Sequence, residues 1–277
     1  MIPIALCADD YALSPGVDEG ILALAQARRI SALSCMTASK RWPQSAGLLK
    51  PLFGIVDVGI HFTLTQLAPL GPMRALAPDG KFPAMGRLYR QATLRGIDFD
   101  EIVRELERQL RAFAEATGRE PDFLDGHHHV HQLPVVRDAV AQVWGKSGPV
   151  RNTTTSPARI AARGVAMPRT GVLALYGAAA RRRWRAAGIA TNADFSGVRN
   201  FDERAPYRSL MQRFLRNAQP GLLVMCHPGR PDDELAKIDA VTAPRAEELA
   251  YLAGGEFPAD FATAGCELVR FSDLAGR

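Results

Sequence analysis

The chain has 277 residues, of which 47% are hydrophobic and 23% charged, and its net charge at neutral pH is +5. This length suits one large domain, such as an α/β barrel, or two small ones, and the composition is ordinary for a soluble globular protein. The positive charge comes partly from a local cluster at residues 181–185 rather than from a basic face, so we expect no nucleic-acid partner.

The cysteines and the N-terminal segment favour a reducing compartment. Cys7, Cys35 and Cys226 lie in apolar runs without a CxxC pair, which favours free, buried thiols in a reducing environment. The segment MIPIALCADD lacks the basic start of a signal peptide, and no apolar run reaches transmembrane length. We therefore expect a cytoplasmic protein without stable membrane insertion.

The first half of the chain alternates predicted strands with helices. Nearly continuous apolar runs are typical of strands buried on both faces of a parallel sheet. The expected strands are residues 2–8, 31–37 and 53–65. Apolar residues at helical spacing predict helices at residues 17–30 and 98–118, with Gly118 as the C-cap of the second. A long loop is expected from about residue 67 to residue 83.

The second half continues the same alternation. PDFLDGHHHVH at residues 121–131 is predicted to be a strand leading into a helix at 133–144. Further elements are expected as strand-to-loop transitions at 149–154 and 221–229, a helix at 244–253, and a last strand with its exit at 266–274. Residues 155–215 hold helical and loop-like stretches without a clear order. The alternation predicts a parallel sheet, and with no repeat or linker we expect a single domain over residues 1–277.

The stretch LDGHHHVH at residues 124–131 contains four of the six histidines of the chain. In a strand, His127, His129 and His131 would face one side and His128 the other. Histidines and an aspartate clustered at a strand end suit a divalent cation. We therefore favour a metal site over a surface run of histidines.

Polar groups close five of the predicted apolar strands. In a parallel barrel, the carboxyl ends of the strands line one mouth, where active sites are built. Each group alone has a simpler explanation: a helix cap, a buried core histidine, a surface charge or a turn. Together they predict one site. The five segments are ADD at 8–10, GIH at 59–61, DGHHHVH at 125–131, VR at 150–151 and CHPG at 226–229.

These segments carry a family resemblance. ADDYALSPGVDEGI, GIHFTLT, LDGHHHVHQLP and MCHPG resemble, in the same order, the motifs of the YdjC-like (ChbG/HpnK) carbohydrate deacetylases. The departures are Tyr11-Ala12 in place of the usual Phe-Gly, and Gly126 in place of a common Ser. Residues 155–215 are not clearly matched. The resemblance implies a distorted (β/α) barrel of the polysaccharide-deacetylase (NodB-like or YdjC-like) type and hydrolysis of the N-acetyl group of an amino sugar or oligosaccharide.

The resemblance also implies roles for residues at the matching positions. It implies one divalent cation held by Asp10, His61 and His127. Asp9 would be the general base. The other implied roles are Arg151 orienting that base, His227 as the general acid, and His129, His131 and Tyr11 contacting the substrate or supporting the site.

Several alternatives stay open from the sequence. The resemblance favours Mg²⁺, whereas two nitrogen donors and one carboxylate also suit Zn²⁺. The same barrel could carry another metal-dependent hydrolase, a deacetylase of a glycosylated lipid of the hopanoid type, or a non-catalytic sugar-binding protein. A homodimer is the default expectation for such enzymes.

Overall fold

A parallel β-sheet organises the computed structural model, which describes residues 1–200 and 205–275. The strands in these residues are β1 Ile2–Tyr11, β2 Ala32–Cys35, β3 Asp57–Phe62, β4 Leu124–Gly126, β5 Asp194–Ser196, β6 Leu222–Cys226 and β7 Cys266–Leu268. Their order across the sheet is β4-β3-β2-β1-β6-β5, and β7 pairs with the start of β1. All of these pairings are parallel.

Helices connect these strands, as a parallel sheet requires. They are α1 Pro15–Gln26, α2 Trp42–Ala46, α3 Met85–Thr93, α4 Phe99–Thr117, α5 Val136–Val143, α6 Pro157–Arg163, α7 Met167–Ala186, α8 Tyr207–Phe214, α9 Leu235–Ile238, α10 Ala243–Ala253, α11 Glu256–Thr263 and α12 Phe271–Leu274. Two 3-10 helices, Gly47–Leu52 and His127–Gln132, complete the set in the described residues.

The sheet curls into an incomplete barrel. Val150 forms one parallel bridge with Leu124 of β4 and another with Thr191, which lies just before β5. It therefore links the two edges of the sheet without forming a full strand. The backbone of Arg151, the next residue, donates to the carbonyl of Leu124. The expected α/β fold with a distorted barrel is confirmed, and the point of distortion places Arg151 beside the carboxyl ends of the strands.

Strand β1 lies at the centre of the sheet. Residues Ile4 to Ala8 are fully buried and pair with Leu222 to Cys226 of β6, while the later part of β1 pairs with β2. The unbroken apolar run that predicted this strand is therefore explained by burial on both faces. The predicted helix at 98–118 is confirmed as α4, capped by Asp98 at its start and by Gly118 in the left-handed region (φ 71°) at its end.

The prediction of a strand through residue 131 is wrong. Strand β4 ends at Gly126, and the histidines follow in a 3-10 helix in which His128 and His129 adopt left-handed conformations (φ 53° and 58°). Their side chains therefore do not alternate between two faces. For residues 155–215 the sequence predicts no clear succession of elements. The described part of this region contains α6, α7, β5 and α8. Among the described residues, no helix is both long and apolar enough to span a membrane.

Candidate metal centre and active site

The end of β1 separates two neighbouring acids. The register with β2 shifts between Ala8 and Tyr11, and Asp10 adopts a left-handed conformation (φ 70°). Asp9 and Asp10 are both almost fully buried, at 2% and 1% exposure. Because the backbone turns between them, their carboxylates meet different partners.

Asp9 forms a bidentate ion pair with Arg151. Arg151 Nη1 donates to Asp9 Oδ2 at 2.6 Å, and Nη2 donates to Oδ1 at 2.5 Å. Burial alone would raise the pKa of Asp9, but the guanidinium of Arg151 outweighs it and holds this pKa well below its usual value. Asp9 is therefore ionised at neutral pH. Arg151 is itself fully buried, and a second ion pair with Asp125 Oδ2 at 2.5 Å balances its charge.

Asp10 instead meets two histidines. Its Oδ1 atom lies 2.9 Å from His127 Nδ1 and 3.3 Å from His61 Nε2, and one donor atom from each residue lies within 4.8 Å of the others. Burial would raise the pKa of Asp10, but Arg245 and His127 hold it well below its usual value. One carboxylate oxygen and two imidazole nitrogens in this arrangement fit a divalent cation.

The surroundings of His61 strengthen that fit. His61 Nδ1 lies 2.6 Å from Asp125 Oδ1 and 3.0 Å from Ser34 Oγ. A carboxylate on one ring nitrogen orients a metal-binding histidine and leaves the other nitrogen, here Nε2, for the cation. Burial would lower the pKa of His61, but without a cation Asp125, Asp10 and Asp9 together raise it to about 10. The ring therefore lies where positive charge is stabilised.

One cavity of about 180 Å³, which we call the metal cavity, is lined by Asp9, Asp10, His61 and His127 together with His227. His227 Nε2 lies 3.9 Å from Asp9 Oδ2, and the backbone N–H of His227 donates to Glu248 Oε2 at 2.6 Å. Burial lowers the pKa of His227, although the carboxylates of Asp10, Asp9 and Glu248 act in the opposite direction. The structure thus brings four of the five sequence segments to this cavity, and the fifth supplies Arg151 beneath it.

The remaining expected site residues are placed differently. His129 lines the cavity and is 7% exposed, and its Nδ1 atom has no hydrogen-bond partner among the described residues. His128 also lines the cavity, contrary to the alternation expected of a strand. His131 Nε2 donates to the carbonyl of Arg151, and its ring stacks on Trp184, so it supports Arg151 rather than facing the cavity.

Tyr11 is not placed to contact a substrate. It is fully buried, and its hydroxyl donates to the carbonyl of Ser45 at 2.8 Å. The cysteines expected to be free and buried are so, which confirms that part of the prediction. Cys7 nevertheless touches the site, because Arg151 Nη2 lies 3.0 Å from its Sγ atom.

Sequence reasoning missed one acidic and one basic residue that contact the site residues. Asp125 joins the two halves of the site, since its carboxylate contacts both His61 and Arg151. Its position at a strand end, within the segment already singled out, could have identified it. Arg245, from α10, donates to Asp10 Oδ2 at 2.7 Å. No local pattern in the sequence marks this arginine.

Comparisons with known proteins agree with the motifs. A family model described as YdjC-like protein matches residues 3–263. A chitooligosaccharide deacetylase of Serratia marcescens is 29% identical over 277 residues, covering 96% of this chain and 97% of that protein. One from Enterobacter sp. (strain 638) is 36% identical over 142 residues, which cover 51% of this chain and 55% of that protein.

A crystal structure from Enterococcus faecalis, described as a putative cellobiose-phosphate cleavage protein, has the same fold. It superposes with a TM-score of 0.78 at 20% identity and covers 99% of both chains. The family match contains the β1 acids, the histidine segment and His227. Because this match spans nearly the whole chain, the protein belongs to the family of YdjC-like proteins.

Proposed function

We propose that this protein is a metal-dependent carbohydrate deacetylase that removes the N-acetyl group from an amino sugar or oligosaccharide. The observation that carries the proposal is the division of the two β1 acids within one cavity: Asp9 pairs with Arg151, and Asp10 pairs with His61 and His127. A purely sugar-binding protein has no need for an ionised base beside a cation site. The relatives from Serratia marcescens and Enterobacter sp. (strain 638) are both named chitooligosaccharide deacetylases, which supports the same activity.

Hydrolysis of an amide needs an activated water molecule and a protonated leaving group. A divalent cation held by Asp10, His61 and His127 would polarise the acetamide carbonyl and lower the pKa of a nearby water molecule. Asp9, kept ionised by Arg151, accepts the proton of that water as its oxygen attacks the carbonyl carbon. Such acid–base steps typically contribute about 10²–10⁴-fold each.

His227 delivers the proton to the leaving nitrogen. Burial lowers the pKa of His227, so its ring is mainly neutral at neutral pH and must gain a proton before it donates one. Asp9 Oδ2 and His227 Nε2 lie 3.9 Å apart, so the proton taken up by Asp9 reaches His227 through one bridging water molecule. From there it reaches the amine and the C–N bond breaks. Acetic acid leaves with the oxygen of the attacking water and loses its remaining proton to solvent as acetate.

The test is acetate release from N-acetylated mono-, di- and oligosaccharides, with and without a chelator. We expect release from at least one of these sugars, loss of release on chelation, and recovery when the cation is restored. Release from O-acetyl or phosphate esters alone would instead favour another hydrolase on the same barrel. Release that a chelator leaves unchanged would contradict the metal-dependent mechanism.

The identity of the cation is a separate proposal. The family resemblance supports Mg²⁺, while the two imidazole donors suit Zn²⁺, and elemental analysis of the purified protein distinguishes them. The single domain, the homodimer, the cytoplasmic location and the absence of a nucleic-acid partner stay predictions.

One observation favours a glycosylated lipid as the alternative substrate. A second cavity of about 470 Å³ shares Met85, His128, His129 and Arg169 with the metal cavity. Helices α3 and α7 line it, and large apolar side chains are exposed on or beside them. These are Met85, Leu94, Met167, Val172 and Leu175. An exposed apolar surface continuous with a polar site suits a sugar that carries a hydrocarbon substituent.

Alkyl glycosides of N-acetylglucosamine test this alternative against the free sugar. A lower KM for the octyl glycoside, which Val172→Ser weakens, would support it. Equal KM values for the two substrates, unchanged by Val172→Ser, would leave the unsubstituted sugar or oligosaccharide as the substrate class.

A further inference from the structure

Gln66 fixes the orientation of His127. Gln66 Nε2 donates to the carbonyl of Ile238 at 2.6 Å, so the amide must present its Oε1 atom to His127 Nε2, 2.7 Å away. An amide oxygen only accepts, and therefore His127 Nε2 carries the hydrogen. His127 Nδ1 is the ring nitrogen that faces Asp10, 2.9 Å from its Oδ1 atom.

Arg245 fixes the orientation of Asp10 in the same way. Its Nη2 atom lies 2.7 Å from Asp10 Oδ2 and 2.7 Å from Asp239 Oδ2, and its Nε atom donates to the carbonyl of Val241 at 3.0 Å. Arg245 is only 2% exposed. Because this contact occupies Oδ2, Asp10 presents Oδ1 to the two histidines.

The two supports share one anchor, the segment of residues 238–241. Ile238 accepts from Gln66, while Asp239 and Val241 accept from Arg245. Asp239 and Val241 also line the metal cavity. One short segment next to the cavity therefore binds both Gln66 and Arg245. Through them it orients two of the three candidate ligands, Asp10 at the end of β1 and His127 after β4.

We propose that Gln66 and Arg245, held by residues 238–241, are positioning residues that orient His127 and Asp10 for the cation. The inference rests on the metal centre of the proposed function. Partners of metal ligands typically change metal affinity by 10–100-fold when they are removed. Gln66 is itself exposed, so water competes for its contacts and we expect its effect near the lower end of this range.

The experiment is titration of chelator-treated protein with Co²⁺, followed by calorimetry and by visible absorption. Gln66→Leu and Arg245→Met should each raise the Kd for Co²⁺ by about 10–100-fold. Gln66→Glu keeps an acceptor for His127, so its Kd should stay closer to that of the wild type. Arg245→Lys keeps the charge and one donor, and its Kd should lie between those of the wild type and Arg245→Met.

Arg163→Met is the matched control. Arg163 is a buried arginine, 5% exposed, that donates to Asp194 at 2.6 Å and does not line the metal cavity. The Arg163→Met variant should have a lower Tm than the wild type and an unchanged Kd for Co²⁺. An equal rise in Kd for this control would assign the effects to general destabilisation and overturn the inference.

Two other results separate this inference from the proposed activity. Wild-type Kd values in folded Gln66→Leu and Arg245→Met would overturn the positioning role, whatever the activity. Tight Co²⁺ binding that the variants weaken, without acetate release from any N-acetylated sugar, would sustain the positioning role and contradict the deacetylase. Absence of Co²⁺ binding by the wild type would contradict both.

Discussion

Replacement of the β1 acids one at a time by asparagine separates proton transfer from cation binding, because the two carboxylates have different partners. Asp9→Asn removes the charge that faces Arg151 but leaves Arg151 paired with Asp125 at 2.5 Å. Asp10→Asn removes the anionic oxygen between His61 and His127 but leaves Arg245 paired with Asp239 at 2.7 Å. Neither change therefore leaves a buried arginine without an acidic partner.

The magnitudes follow from these contacts. Loss of a general base costs about 10²–10⁴-fold in rate, or about 3–5 kcal/mol in the barrier. Removing one partner of a buried ion pair costs about 3–5 kcal/mol of folding free energy, and the remaining acid keeps the cost below that. Against a typical stability of about 5–15 kcal/mol, both variants should fold.

The assay titrates Mg²⁺ while activity and occupancy are measured on the same samples. Asp9→Asn should bind the cation nearly as well as the wild type and stay at least about 10²-fold slower at saturating cation. Asp10→Asn should bind the cation more than about 100-fold more weakly, since loss of a ligand exceeds loss of a ligand's partner, and excess cation should partly restore its rate.

Rescue of Asp9→Asn by excess cation would refute this reasoning, as would equal loss of the cation in both variants. Either result would make Asp9 a ligand. The base would then be sought at His129, which lines the same cavity.

Three further variants and one pair of variants extend these tests. His61→Ala and His127→Ala should each abolish cation binding in calorimetry, and unchanged binding in both would show that the ligands lie elsewhere. Asp125→Asn should weaken cation binding by about 10–100-fold and also lower the rate at saturating cation, since Asp125 contacts both His61 and Arg151; an effect on only one of these quantities would contradict that link. Cys226→Ala should keep its activity, because the Cys226 thiol lies 3.5 Å from the Cys7 carbonyl within the sheet and burial raises its pKa well above the usual value; loss of acetate release in the folded variant would contradict this. Gly59→Ala should lower the free energy of unfolding by about 1–3 kcal/mol in urea titration, because a Cβ atom there would lie 2.5 Å from the Phe123 ring; wild-type stability would show that the ring can move away.

The sequence by itself determined the elements whose signal is local. The apolar run of β1, the amphipathic stripe of α4 with Gly118 as its cap, and the polar groups at the strand ends all depend on neighbours within a few residues. A parallel barrel then requires the strand ends to meet, so Asp9, Asp10, His61, His127 and His227 could be assigned to one cavity before any contact was known.

Tertiary structure decided what depends on distant partners. The histidine segment leaves β4 at Gly126 because the backbone turns into left-handed conformations there, which side-chain alternation cannot reveal. Asp10 and Arg245 are 235 positions apart, and Gln66 and Ile238 are 172 apart. No periodicity connects such residues. Their pairing follows from how the barrel closes, since a buried carboxylate or imidazole must find whichever donor or acceptor the packing brings beside it.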